Sequence, residues 1–464
     1  MVNVFFNTKD TKDYSKGTKG RIAENLNLYY MKEKSKESRR SFIQKSAGAA
    51  ALLAMPTVIP AAAFGANDRV RVAVLGVNGR GTNHIQGFSD LKDVEVACLC
   101  DPDLVVLAKR ADEFEKKYGR KVIQQQDLRK VFEDKSIDAV SIATPNHWHS
   151  LAAIWACQAG KDVYVEKPGS HNIREGRKMV EAAAKYDRIV QHGVQLRSSV
   201  AVQEAIKHLR DGLIGDVYMA RGLVFRWRDD IGNKGTEPVP QGLDYDLWTG
   251  PAEMRPFSRN YVHYNWHWNW NYGNGDVGNQ GVHETDLCMW GLNVGLPERI
   301  TAGGGKFLFN DAKETPELLS STYHYPKEKK VIEFEVRPWI TNAENGVEVG
   351  NIFYGSKGYL VVYNYDRYES FLGEKKEPGP ANKAGGDHFL NFITAVRAHD
   401  KSILNAPVET AHLSSGLAHL GNIAYRTGRT LNFDPVTEKF INDDEANTYL
   451  TRPARKPFEV PDIV

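Results

Sequence analysis

The stretch Arg69–Gly81, RVRVAVLGVNGRG, decides the fold. Val70, Val72, Ala73, Val74 and Leu75 make an apolar, mostly β-branched run, the composition of a strand buried on both faces. Gly76, Gly79 and Gly81 follow at once as a tight turn, and Thr82–Leu91 reads as a short helix. Strand, glycine turn and helix N-terminus together make an anion site, because unpaired N–H groups and the helix dipole converge there. The dinucleotide fingerprint G-x-G-x-x-G asks for glycine at 76, 78 and 81, but Asn78 holds the middle place. Asparagine accepts left-handed backbone angles, so the turn is expected to survive with a side chain beside the pyrophosphate. A second strand, Val94–Leu99, ends in Cys100-Asp101. Asp101 stands 20 residues beyond Gly81, the place of a ribose-binding carboxylate.

Outward from this unit, strands and helices alternate as far as Arg188–His192, which implies a parallel sheet covered on both faces. The strand Ala139–Ala143 runs into TPNHWH at 144–149, with the next helix expected over Leu151–Ala159. The strand Asp162–Val165 runs into Glu166-Lys167-Pro168. Ligands of such sheets sit beyond the carboxyl ends of the strands, so Gly76–Gly81, Asp101, Thr144–His149 and Glu166–Pro168 should meet in one crevice. After the helix Val200–Arg210 the texture changes. Asp216–Trp227, Arg299–Phe309, Leu318–Tyr325, Lys330–Pro338 and Asn351–Tyr363 read as strands of a largely antiparallel second domain, closed by helices at Asp387–His399 and Val408–Thr427. The fold class is therefore α/β, with a dinucleotide-binding domain over 67–194 and an α+β domain with a large open, mainly antiparallel sheet over 195–433. A tail, 434–464, and an N-terminal extension, 1–30, carry no readable pattern.

The chain of 464 residues balances 60 Lys and Arg against 58 Asp and Glu, so no basic field points to nucleic acid or an anionic membrane. Cys98, Cys100, Cys157 and Cys288 form no C-x-x-C pair, and the first three fall in apolar runs as buried thiols. Within 31–66, Ser38-Arg39-Arg40-Ser41-Phe42-Ile43 is a twin-arginine export pattern. The apolar stretch Ala47–Met55 and the small residues Ala61–Ala63 follow it. A periplasmic or extracytoplasmic protein, exported folded and free of the membrane once the signal is removed, is expected.

GxNGRG at 76–81, Asp101, TPNHWH, VEKP at 165–168 and GNQGVHETD at 278–286 together resemble the Gfo/Idh/MocA family of oxidoreductases, over roughly 69–430. The resemblance implies a Rossmann domain, an open-sheet C-terminal domain used for homo-oligomer contacts, and hydride transfer between a nicotinamide and a sugar carbon. It makes Gly76, Asn78, Gly79, Arg80, Gly81 and Asp101 cofactor-binding, with Thr144, Pro145, Asn146, His149, Glu166 and Lys167 completing the set. Asp101 favours NAD over NADP, since its charge accepts from a ribose hydroxyl and repels a phosphate.

Two residues carry the expected chemistry. Lys167 is placed to hydrogen-bond the reacting hydroxyl and stabilise alkoxide charge. Glu166 is expected to position Lys167 or the cofactor. His283, with an ordinary pKa near ~6.5, is placed to take the proton, and Asp286 at i+3 to orient its ring. The family pattern D-x-x-x-H is broken by Asn279, which cannot carry a proton, and Asp276 is the remaining source of charge nearby. His147, Trp148 and His149 are expected to frame the nicotinamide side. Trp266, Trp268 and Trp270 of YNWHWNW fall on one face if the segment is extended, a sugar-stacking surface. Arg226, Tyr245 and Trp248 are candidates for the same mouth, and His388 for a lesser place. His263 and His267 lack carboxylate or thiolate company, so no metal is expected. The alternatives are a glycosidase or lyase that oxidises a sugar carbon transiently with NAD, and a non-catalytic sugar-binding protein.

Overall fold

In the computed structural model, residues 69–464 except 340 and 454 are described. The export pattern at 38–43 and the apolar stretch after it lie outside the described residues.

The apolar run becomes β1, Val70–Leu75, and the glycine turn delivers the chain into α1, Gly81–Ser89. The alternation continues through β2 (Val94–Cys100), α2 (Leu104–Tyr118), β3 (Ile123–Gln125), α3 (Leu128–Glu133) and β4 (Ala139–Ile142). It ends with α4 (Asn146–Gln158), β5 (Asp162–Glu166), α5 (Ile173–Lys185) and β6 (Val190–Gly193). Side-chain oxygens of Asp103, Asp127 and Asn172 cap α2, α3 and α5, taking up N–H groups that the helices leave open. All six strands are parallel in the order β3-β2-β1-β4-β5-β6. The order reverses between β1 and β4, so a crevice opens beyond their carboxyl ends. Helix α4 begins at Asn146 rather than Leu151, because Pro145 fixes φ at −60° and its carbonyl accepts from the Trp148 N–H. His147–His149 are thus helical residues and not a loop.

The second half adds α6 (Val200–Arg210), β7 (Val217–Phe225), α7 (Tyr245–Thr249) and α8 (Val282–Leu292), the last entered through a π-helical turn, Val277–Gly281. Then come β8 (Arg299–Gly305), β9 (Leu318–Tyr325), β10 (Lys330–Arg337), β11 (Val349–Gly355), β12 (Gly358–Tyr363), β13 (Arg367–Leu372) and β14 (Glu377–Lys383). The chain closes with α9 (His388–Ala398), α10 (Val408–Thr427), β15 (Leu431–Asp434), β16 (Lys439–Phe440) and α11 (Asp444–Thr448). The ten-stranded sheet runs β14-β13-β12-β11-β7-β10-β9-β8-β15-β16, antiparallel except where β7 meets β10.

Residues 351–363 are a hairpin and not one strand, with Gly355 opposite Gly358. A Cβ at Gly355 would lie 2.1 Å from the Ile214 carbonyl oxygen, and one at Gly358 2.3 Å from that of Phe371. The glycines therefore permit close backbone approach at the turn. Strand β14 escapes a reading by pattern because Pro378 and Pro380 interrupt it, which only an edge strand tolerates. The residues beyond 433 are packed and not a free tail. Phe458 sits among the apolar residues behind the parallel sheet, edge-on to Trp148 at 5.5 Å. Phe392 and Ile393 of α9 join Val72 and Leu99 on its other face. Among the described residues no helix is long and apolar enough to cross a membrane.

Candidate active site

A cleft of about 330 Å³ opens at the carboxyl ends of β1, β2, β4 and β5. Its floor is the glycine turn. Gly76 has φ +81°, and a Cβ there would meet the Ala143 carbonyl oxygen at 2.7 Å. A Cβ on Gly81 would fall 2.0 Å from the Gly76 oxygen. These two positions demand glycine, and Gly79, with open space around it, does not. Asn78 has no left-handed backbone, contrary to expectation, because Gly76 alone of the turn carries the positive φ. Asn78, Gly79 and Arg80 line the cleft. The turn is braced from α2 by Arg110, which donates to the carbonyls of Val77 at 3.0 Å and Asn78 at 2.8 Å.

Asp101 lines the same wall. Its carboxylate accepts from the N–H of Val77 at 2.9 Å and of Asp103 at 3.1 Å. Burial outweighs those bonds and pushes the carboxyl up to about 6. Thr144, Pro145, Asn146 and His149 form the opposite wall, and the Thr144 hydroxyl is buried without a partner. The His149 ring bridges the strand ends, its nitrogens 2.7 Å from the Thr144 carbonyl and 2.6 Å from that of Pro168.

Glu166 ties this end together. One oxygen accepts from Arg80 Nε at 2.8 Å, His84 Nε2 at 3.0 Å and Gln195 Nε2 at 3.1 Å, and the other from the backbone N–H of Lys167. Burial alone would raise this carboxyl, but the Arg80 guanidinium and His84 hold it well below the usual range. Burial also keeps His84 neutral, so it donates from Nε2 to Glu166 and accepts at Nδ1 from the Ser141 hydroxyl, 2.7 Å away. Glu166 therefore holds Lys167 by its backbone, and the Lys167 ammonium reaches across to donate to the Asn279 carbonyl. Burial lowers the pKa of Lys167, opposed by the charge of Glu166.

The π-helical turn brings Asn279 to the cleft and leaves His283 one turn behind it, buried and not lining. The His283 ring lies edge-on to Tyr365 at 5.3 Å, with Nδ1 buried and unpartnered. Burial, then the charge of Lys167, drives its pKa well below the ordinary value, so the ring is neutral. Asp286 does not orient it. Helix α8 turns Asp286 toward Arg197, which donates to both oxygens at 2.8 and 2.9 Å. Asp276 is likewise paired with Arg228, at 2.6 and 2.9 Å.

Other expectations are corrected by packing. The segment 265–268 is a 3-10 helix and not extended, so the tryptophans scatter. Trp266 lines the cleft, stacked on His267 at 3.6 Å. Trp268 packs beside Arg228 and Lys313, and Trp270 beside Arg426. Arg226 points to Gln280 Oε1 at 2.9 Å and does not line the cleft. Trp248 does line it, with Tyr245 stacked behind at 5.7 Å. His147 turns away to the Trp248 carbonyl at 3.0 Å. His388 is satisfied by Ser198 at 2.6 Å and the His192 carbonyl at 2.8 Å.

Sequence reasoning missed His84, which holds Glu166, and Arg110, which holds the turn, and weighed His263 and His267 only as metal ligands, whereas they line the cleft. An inward-facing histidine in the first helix after the glycine turn was the only local signal. His263 stands 3.1 Å from Asp103, the cap of α2. The four cysteines are all buried, and burial pushes the thiols of Cys98 and Cys157 up to about 12.

Comparison with known proteins agrees with this architecture. Residues 70–194 match the NAD-binding Rossmann fold of the GFO_IDH_MocA oxidoreductase family, and residues 199–296 with 369–460 match its C-terminal alpha/beta domain. A glycosyl hydrolase family 109 protein of Shewanella baltica is 34% identical over 122 residues, 25% of this chain and 27% of that protein. Another, from Saccharopolyspora erythraea, is 30% identical over 167 residues, 34% of this chain and 36% of that one. The chain thus spans roughly a quarter to a third of the curated relatives it matches. The WlbA dehydrogenase of Bordetella pertussis, solved with NADH and UDP-GlcNAcA, superposes with a TM-score of 0.59 at 21% identity, over 79% of this chain and 99% of that one. At that identity the likeness is one of fold.

Proposed function

The chain belongs to the Gfo/Idh/MocA oxidoreductase family, and from that premise we propose that it transfers hydride between NAD and a sugar or sugar derivative. The observation that carries this reading is Lys167, fixed at the end of β5 by Glu166 and facing the cleft beside Asn279. The residues present fit a dinucleotide. Two glycines admit no Cβ where its phosphates approach, and the buried Thr144 hydroxyl lacks a partner. The turn 76–81 and the start of α1 would hold the phosphates, and Asp101 the ribose hydroxyls, which favours NAD over NADP. Bound nicotinamide supplies the hydride acceptor or donor.

The chain's own residues manage the proton and exclude water. Lys167 donates to the substrate oxygen and stabilises the alkoxide charge that grows there as the hydroxyl proton leaves, ahead of hydride transfer. Its lowered pKa eases transfer of an ammonium proton to the substrate oxygen in the reverse direction, as hydride arrives at carbon. In the oxidation direction neutral His283, behind Asn279, would take up the hydroxyl proton. Trp266 and Trp248 present apolar surface to the sugar. The test is Lys167→Met. Reduction of bound NAD by a sugar panel is expected to slow ~10²–10⁴-fold in single turnover while NAD stays bound. An unchanged rate would remove Lys167 from the chemistry.

A second reading is favoured by the family 109 glycosyl hydrolases among the relatives: a glycosidase or lyase in which bound NAD would serve for transient oxidation of a sugar ring carbon. A ketone or lactone as net product supports the first reading, and a freed aglycone the second. Export by the twin-arginine route is proposed from Arg39 and Arg40. Changing both to Lys is expected to leave an uncleaved precursor in the cytoplasm, and normal export would refute the assignment. A homo-oligomer is proposed from the outer face of the large sheet, where Tyr354, Tyr359 and Phe371 cluster; sedimentation at the monomer mass would count against it.

A further inference from the structure

Behind the wall of the cleft lies a second cavity, of about 450 Å³, that shares no lining residue with the first. Asn274 is the partition. Its Oδ1 accepts from Asn146 of the cleft at 3.3 Å, and its Nδ2 donates to the His171 carbonyl at 3.1 Å. The second cavity is lined by Arg255, Arg426, Arg452, His171, His419 and Trp270, and the amides of Asn271, Asn274 and Asn422 also face it.

Its charges are unevenly paired. Arg452 pairs with Glu175 at 2.6 Å and Arg255 with Glu314 at 3.0 Å and, more loosely, the exposed Glu253 at 3.9 Å, whereas Arg426 makes no ion pair among the described residues. Burial drives His171 well below its ordinary pKa and His419 to about 3, so neither adds charge at neutral pH. One guanidinium, that of Arg426, is left without a carboxylate of its own. Arg426 is held between Trp270, 5.0 Å from the ring centre, and Tyr449, 4.1 Å, which fixes the plane of its donors. Three polar atoms of the lining are buried without a partner: Arg452 Nη1, His171 Nε2 and Asn422 Oδ1. Desolvated donors and acceptors left unpaired are costly, and a polar ligand would relieve that cost.

We propose that this cavity binds a hydroxylated monocarboxylate of the sugar-acid type, its carboxylate on Arg426 and Arg452 and its hydroxyls on the asparagine amides. A guanidinium fork matches a carboxylate, and a single unpaired guanidinium suits a monoanion better than a doubly charged phosphate. The aromatic ring and the amides favour a hydroxylated body over a bare acid. The site is independent of the hydride-transfer reading, since it uses none of the cleft residues.

Calorimetric titration of the full protein with D-glucuronate, D-glucose and inorganic phosphate tests it. Glucuronate is expected to bind at least ~10-fold more tightly than glucose or phosphate, an arginine–carboxylate pair being the strong contact. Arg426→Gln is expected to weaken glucuronate about ~10-fold, and Lys167→Met to leave it unchanged. Equal binding of the three probes, binding that survives Arg426→Gln, or binding lost with Lys167→Met would each overturn the proposal. Should Arg426→Gln not fold, hydrogen exchange on the parent protein decides. Protection over 419–426 that rises with glucuronate supports the site, and unchanged protection overturns it.

Discussion

Two buried glutamates flank Lys167 and have opposite fates. Glu166, at the end of β5, is 3% exposed, and Glu284, on α8, is 2% exposed. Burial pushes both carboxyls toward the neutral form. At Glu166, Arg80, His84 and Gln195 converge on one oxygen, and the group stays ionised. At Glu284 a single amide, Gln280 Nε2, donates at 3.1 Å, Oε2 has no partner, and burial pushes the carboxyl up to about 8. Equal burial with unequal partners gives an anion on one side of Lys167 and a protonated acid on the other at neutral pH. The cofactor end is thus wired before any ligand arrives, whereas the α8 end keeps unmet hydrogen-bonding capacity, at His283 Nδ1 as well as Glu284.

The largest test of this contrast is Glu166→Ala. It leaves the donors of His84 and Gln195 without their acceptor, while the half-exposed Arg80 can turn to water, and should cost ~2–5 kcal/mol, the penalty of stranding two desolvated donors. The parent's contribution from Glu166 is present above the unfolded carboxyl pKa and lost as pH falls through the lowered folded value, so the variant should also flatten the acid limb. Denaturant unfolding from pH 3 to 8 measures both, and a loss below ~1 kcal/mol would deny Glu166 its central place.

Glu284→Gln should move the other way. With a folded pKa raised to about 8, the carboxyl contributes stability that is full below its unfolded pKa and lost as pH rises through 8. A glutamine is free of that titration, so the variant is expected to gain ~2–4 kcal/mol on the parent between pH 5 and 9. Parallel stability curves would show Glu284 to be ionised throughout.

The smallest effects separate the glycines. Gly81→Ala forces backbone apart at 2.0 Å and should cost ~1–3 kcal/mol together with weaker NAD binding. Gly79→Ala, in open space and without a positive φ, should stay within ~0.5 kcal/mol. Thermal melts with and without NAD read the pair. Equal losses would mean that the turn, and not the two crowded positions, sets the demand for glycine.

Local pattern made the first half legible. An apolar β-branched run, a glycine turn and a carboxylate at the next strand end are properties of neighbouring residues. They put Gly76–Gly81, Asp101, Thr144, Glu166 and Lys167 at one crevice. The same reasoning misplaced Trp266, Trp268 and Trp270, because an extended segment was assumed where the chain winds into a 3-10 turn. It also gave Asp286 to His283 by helical spacing, when Arg197, 89 residues away in the chain, holds it.

The sequence by itself thus determined the α/β alternation, the dinucleotide crevice and the lysine at its strand end, since each is set within a few residues by hydrophobic period and backbone sterics. Tertiary structure alone decided which acids are charged, which histidines are neutral, and that residues beyond 433 pack behind the parallel sheet. Those outcomes depend on burial and on partners brought together from distant parts of the chain, as when Arg80 and His84 meet Glu166. Spacing along the sequence carries no record of such meetings.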